Sequence, residues 1–204
     1  MDFFEVIRTQ RAMRRLLPDP VSDDEIWQLL DAAIRAPSGG NRQPWNFLVV
    51  RDPALKEKIG VWYLDAWQRM YGPAANAMQA DPAMARTFRS ADHLARHLAE
   101  APVLIIATIR KEMPVTAYPT LGASVYPAVQ NLMLAARALG LGTTLTTLHK
   151  LHEGEVKELL GIPDDVETMA LIPVGRPKGK FAEAARLPVE KVTYWDHWGA
   201  TKQR

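Results

Sequence analysis

Apolar positions along this chain change period several times, and each change marks a structural element. Between Ser22 and Pro37, Ile26, Leu29, Leu30, Ala33 and Ile34 recur at helical intervals. Ser22 and Glu25 have capping-box spacing, so a helix is predicted to start after Ser22 and stop before Pro37. Short β-branched or apolar runs at Asn46 to Val50, Pro102 to Ile109, Thr143 to Leu148 and Met169 to Val174 predict four strands, each bounded by turn residues or charges. Strands interleaved with helices imply an α/β or α+β sheet. Leu121 to Leu139 is the most apolar helix candidate, with Val125, Ala128, Val129, Leu132 and Ala136 leaving little solvent face, and it is expected to be central.

The stretch from Lys56 to Ala99 has helical propensity but is broken at Gly72-Pro73 and Asp81-Pro82. It holds Trp62, Tyr63, Trp67, Met70, Tyr71 and Met78. These side chains suit either packing onto the core or a cover that stacks on flat substrates. After Leu187, Val189, Val192, Tyr194, Trp195 and Trp198 make a tail too apolar to be a solvated coil, so burial is expected for it.

Composition narrows the class. A length of 204 residues fits one domain, and 48% hydrophobic with 24% charged residues is the balance of a folded globular chain. The net charge of +2, from 25 cationic and 23 anionic side chains, offers no footprint for nucleic acid. Cysteine is absent, which removes disulfides, thiolate metal sites and cysteine nucleophiles. The first residues, Met1-Asp2-Phe3-Phe4-Glu5, are acidic where a secretory leader is basic. The apolar run from Ala101 to Ile109 falls far short of the roughly 20 residues a membrane span needs. A cytoplasmic protein without membrane contact is therefore expected.

Candidate chemistry concentrates in the run Pro37-Ser38-Gly39-Gly40-Asn41-Arg42-Gln43-Pro44-Trp45. Its prolines fix backbone angles, its glycines leave N–H groups open to close approach, and Ser38, Asn41 and Gln43 offer polar groups to a flat, polar-edged ligand. By residue type alone it also suits an ordinary helix-to-strand connection. Arg11-Ala12-Met13-Arg14-Arg15 precedes it, and Pro173-Val174-Gly175 and Arg186-Leu187-Pro188 follow. With these segments in this order, the chain resembles the FMN-dependent nitroreductase family. That family opens on Arg-Arg-Ser-x-Arg, continues through Ala-Pro-Ser-x-x-Asn-x-Gln-Pro-Trp, and closes on Pro-x-Gly and Arg-x-Pro. Gln10 and Ala12 depart from the first motif, leaving one cation and one hydroxyl fewer.

The resemblance implies a single domain over residues 1–204: an α+β, three-layer α-β-α sandwich around a central mixed sheet, forming a homodimer with exchanged C-terminal tails (187–204). It implies that Arg11, Arg14 and Arg186 meet the FMN phosphate, that Ala12 belongs to the cofactor-binding residues, that Pro37, Ser38, Gly39 and Asn41 line the ring from the partner subunit, and that Thr146 and Thr147 approach its reactive edge. Trp67, Met70 and Tyr71, in the 56–99 segment, are expected in the substrate pocket. The implied activity is hydride transfer from NADH or NADPH to a small electron acceptor, a nitroaromatic or quinone, by ping-pong kinetics. Because the flavin supplies the chemistry, no side-chain nucleophile is required. A flavin store or sensor without turnover, a reductive dehalogenase and a flavin-degrading enzyme are the alternatives.

Other motifs carry less. His93 and His97 have the spacing of helical metal ligands, but Leu94 stands where the zinc-protease pattern has its glutamate. Gly140 and Gly142 precede a strand rather than follow one, and no P-loop or dinucleotide fingerprint is present. Gly122-Ala123-Ser124-Val125-Tyr126 lacks the second glycine of a nucleophile elbow. His149 and His152 read as surface-loop residues with the chemistry of proton donors.

Overall fold

The computed structural model describes residues 1–111 and 118–202. Two helices open the chain, α1 (Phe3–Thr9) and α2 (Asp23–Ala33). The predicted capping box is present: Ser22 Oγ accepts from the Glu25 amide at 3.2 Å, and Glu25 accepts from the Ser22 amide at 3.0 Å. Strand β1 (Trp45–Val50) leads into α3 (Pro53–Tyr71), the short α4 (Ala75–Ala80) and α5 (Pro82–His97). Then come β2 (Val103–Arg110), α6 (Tyr118–Ala138), β3 (Gly142–Thr143), α7 (Glu153–Leu160) and β4 (Val166–Gly175).

The strands form one sheet in the order β1-β2-β4-β3. The expected mixed sheet is antiparallel in each of these pairings, and its parallel element is a single bridge from Ala12 to Thr143. Both faces are covered, which is why β2 reads as a continuous apolar run rather than an alternating one. Val103, Ile105, Ala107 and Ile109 face one core with α2 and α6, whereas Leu104 and Ile106 face a second core with α3 and α5. Three layers result, helices on sheet on helices. A register shift between Ala107 and Thr108 leaves Met169 as an extra residue in β4, so Met169 and its neighbour Ala170 both reach the first core.

The third predicted strand is corrected. Only Gly142 and Thr143 pair as a strand; Thr146 makes an isolated bridge to Leu171, and Leu148–His152 is a 3-10 turn. The β-branched run Thr143 to Thr147 has strand propensity, but its chain leaves the sheet edge to enter α7, whose first residue Glu153 accepts from both the amide and the hydroxyl of Thr168. The Lys56–Ala99 stretch is helical up to His97, with its breaks at Gly72-Pro73 and Asp81-Pro82 as read from sequence.

Beyond β4 the described residues are irregular apart from an isolated bridge between Leu16 and Pro177 and one 3-10 turn at Val189–Lys191. Its apolar side chains are not buried within the chain: Leu187 is 72% exposed and Trp198 92%. The last two residues of the expected tail lie outside the described residues. No helix among the described residues is long and apolar enough to cross a membrane.

Candidate active site

After α1, the chain runs extended beside the short strand β3. The Met13 amide donates to the Thr143 carbonyl at 2.8 Å, and the Lys178 amide to the Arg15 carbonyl at 2.9 Å. Gly142 makes this approach possible, since a Cβ there would lie 2.9 Å from the Met13 Cβ. The extended alternation buries Met13 and turns Arg14 to the other side, half-buried. Burial lowers the Arg14 guanidinium below its ordinary value, partly countered by the nearby Tyr63 oxygen. Among the described residues no carboxylate pairs with Arg14. A half-buried cation without a counter-ion is costly unless an anionic ligand supplies one.

Arg14 stands where two cavities meet. The first, of about 730 Å³, is walled by Tyr63, Trp67, Met70 and Tyr71 of α3, by Phe88 and neighbours of α5, and by Thr144–Leu148. It is largely apolar and aromatic, with polar groups along the Thr144–Thr147 strip and at Thr87, and with Lys150 as well as Arg14 in its lining. Tyr63 and Thr146 hydrogen-bond through their hydroxyls at 2.9 Å, and burial pushes the Tyr63 phenol up, keeping it neutral. The second cavity, about 700 Å³, opens between residues 11–15, α5 and Gly179–Lys180. Arg11, Ala12, Arg14 and Arg15 line it, and among the described residues no Asp or Glu does. Arg14, Ala83 and Thr87 belong to both walls. A flat aromatic chamber thus runs into a cationic one, an arrangement complementary to a planar ligand with an anionic tail.

The predicted pocket residues divide between core and rim. Trp67 is 7% exposed, donates from Nε1 to Asp92 Oδ1 at 3.1 Å and packs against the rings of Tyr71 and Phe88 at 4.5 and 5.4 Å. It therefore belongs to the second core and walls the cavity at once. Met70, 52% exposed at the end of α3, sits on the rim. Thr146 and Thr147 line the aromatic cavity. Arg186 does not line either cavity; its Nη1 donates to the Ala185 carbonyl at 2.9 Å, while Ala185 itself forms part of the cationic wall.

The Pro37 loop lies elsewhere in the chain. Ser38 Oγ accepts from the Gln43 amide at 3.0 Å, and Asn41 and Gln43 hold positive φ values of 54° and 50°. Such angles are strained for a glutamine. Pro37, Ser38, Gly39 and Asn41 line neither cavity, so one chain does not bring them to Arg14.

The histidines differ from their sequence reading. His149 is not on the surface: it is buried, neither ring nitrogen has a hydrogen-bond partner among the described residues, and burial pushes it down to about 4. It faces neither cavity. His152 bonds Asp65 at 2.6 Å and Glu155 at 3.1 Å, which raise it above its ordinary value, and it too stands outside both cavities. Sequence reading missed Tyr63 as a partner of Thr146, because nothing in their separation along the chain signals the contact. It also missed the α5 contribution to the cationic wall, although Pro82, Ala83, Arg86, Thr87, Arg89 and Ser90 recur at helical spacing.

The sequence profile of the Nitroreductase family matches residues 7–176. The chain belongs to that family. This nitroreductase-family chain is 28% identical over 199 residues to an NADH dehydrogenase of Thermus thermophilus, covering 91% of this chain and 92% of that one. It is 31% identical over 178 residues to the 5,6-dimethylbenzimidazole synthase of Rhodobacter capsulatus, covering 85% and 83%. Among solved structures, an iodotyrosine deiodinase bound to FMN and 3-iodo-L-tyrosine superposes with a TM-score of 0.75 at 25% identity, over 92% of this chain and 96% of that one.

Proposed function

We propose that this chain is an FMN-dependent oxidoreductase that takes hydride from NADH or NADPH and reduces a flat, electron-poor acceptor such as a nitroaromatic or a quinone. The observation that carries this reading is the aromatic cavity opening into a cationic one, with Arg14 at the junction; among the described residues no carboxylate lines the cationic cavity or pairs with Arg14. The residues fit FMN: Arg11 and Arg14 suit its phosphate end, and Thr146 and Thr147 suit the polar edge of its ring. When bound, the flavin supplies hydride chemistry. The chain's own task is to position, desolvate and balance charge. Tyr63 fixes the Thr146 hydroxyl by their mutual hydrogen bond, and Trp67, locked by Asp92, holds one flat wall. Donor and acceptor would use the aromatic cavity in turn, giving ping-pong kinetics.

The functional unit in this proposal is a homodimer. Phe3, Phe4, Trp27, Leu187, Trp195 and Trp198 are exposed apolar side chains on a single chain, more than a monomer ordinarily leaves in water. A second copy covering them would also bring its Pro37 loop and tail to the flavin, completing a site that one chain leaves open. The likeness to a deiodinase and to a dimethylbenzimidazole synthase supports keeping reductive dehalogenation and flavin breakdown among the outcomes of the test.

Anaerobic titration of the flavin-loaded protein with NADH and NADPH, followed by reoxidation with nitroaromatic, quinone and iodophenol acceptors, tests the reading. Fast bleaching of the flavin band and fast reoxidation by the first two classes is the expected result. Failure of both nicotinamides to bleach it would refute the oxidoreductase and favour a flavin store.

A further inference from the structure

The first family motif lacks a cation at Gln10 and a hydroxyl at Ala12, and the structure shows what faces that deficit. Gln10 points its amide at Met133 Sδ, 3.8 Å away, and does not line the cationic cavity. Ala12 does line it. On the same cavity wall, α5 presents Arg86, Thr87, Arg89 and Ser90, two cations and two hydroxyls. We infer that Arg86 and Arg89, with the Thr87 and Ser90 hydroxyls beside them, form an α5-borne anchor for the flavin phosphate that replaces the motif's missing arginine and serine. The inference rests on the flavin reading above.

A solvated helix face is the ordinary fate of surface arginines, and three observations weigh against it here. The next cation along α5, Arg96, is neutralised by Asp92 at 2.8 Å, whereas Arg86 and Arg89 make no ion pair among the described residues. Arg86 and Arg89 are one helical turn apart, a like-charge spacing that costs a helix a few tenths of a kcal/mol unless an anion lies between them. Arg11, Arg14 and Arg15 line the same cavity, and among the described residues no acidic side chain lines it. A phosphate of nearly two negative charges relieves this repulsion and accepts several charge-assisted hydrogen bonds at once. The adjoining face of α5, with Phe88 and Ala91, walls the aromatic cavity, so one rigid helix would hold both the ring end and the phosphate end of the ligand.

The test measures affinity of the full-length protein, freed of flavin, for FMN and for riboflavin, which lacks only the phosphate. Quenching of flavin fluorescence reads both. The wild type is expected to prefer FMN, and the double variant Arg86→Gln/Arg89→Gln to lose about tenfold or more of its FMN affinity with riboflavin affinity unchanged. The charge-keeping variant Arg86→Lys/Arg89→Lys should retain most of the preference, and its unaltered melting temperature would show that the helix is intact. FMN affinity in the glutamine variant should also depend less on salt. Should that variant keep the wild-type ratio of FMN to riboflavin affinity while Arg11→Gln lowers it, the α5 anchor is overturned and the flavin reading stands. A wild type that binds neither flavin overturns both.

Discussion

Acidification should destabilise this protein through one residue in particular. His149 is fully buried, neither of its ring nitrogens is hydrogen-bonded among the described residues, and burial pushes it down to about 4 in the folded chain, against an ordinary value near 6.5. The cause is first its burial and then the adjacent Lys150, with Glu153 opposing them. Since the folded-state value lies below the unfolded one, the unfolded chain binds the proton more readily between these values. Stability due to this site is therefore constant above about pH 6.5, falls as pH drops toward 4 and levels off below that. From pH 7 to 4.5 the loss is on the order of 2 to 3 kcal/mol, a large share of an ordinary domain's stability. Carboxylates held low by partners, Glu25 by the Ser22 amide and Asp92 by Arg96, add their own acid lability, so the wild-type curve alone cannot isolate the histidine. The variant His149→Leu does. It removes two unpaired ring nitrogens from an apolar site, so at pH 7 it should cost little, and its advantage over wild type should grow by that same amount as pH falls to 4.5. Urea unfolding of both proteins at a series of pH values measures the difference directly. Parallel curves for the two proteins would refute the reasoning.

Trp67→Ala should lower stability by about 3 to 5 kcal/mol, because it opens a cavity in the second core and leaves Asp92 without its indole donor; thermal unfolding checks this. If Trp67 also selects substrates by stacking, the ratio of kcat/KM for a nitroaromatic to that for a quinone should shift in the same variant, whereas a purely structural role leaves the ratio constant. Truncation after Pro188 removes Trp195 and Trp198 and should convert a dimer to monomers with loss of flavin, read by sedimentation and the visible spectrum. A truncated protein that stays dimeric and yellow would contradict the coupling of tail and site.

Local physics made much of this protein legible before any coordinates. The Ser22–Glu25 capping box, the helical spacing of Ile26, Leu29 and Ala33, and the unbroken apolar run of β2 are short-range signals, and each produced the element it predicts. So did the breaks at Gly72-Pro73 and Asp81-Pro82, where proline removes an amide donor and restricts the residue before it. The motif residues Arg11, Arg14, Pro37 and Arg186 were visible as residue types at a spacing, which carries identity but not position. Tertiary structure decided the rest. Past Thr143 the run keeps only the Thr146–Leu171 bridge to the sheet, and the chain turns into α7, which is tied to β4 through Glu153 and Thr168. Trp67 became both core and cavity wall because α3 packs on α5, and His149 became buried because its 3-10 turn tucks under α3. Above all, the union of an aromatic and a cationic cavity at Arg14 depends on Gly142 admitting residues 11–15 to the sheet edge and on the face that α5 turns toward them. Burial and charge balance are sums over neighbours distant in the chain, and those sums exist only once the chain has folded.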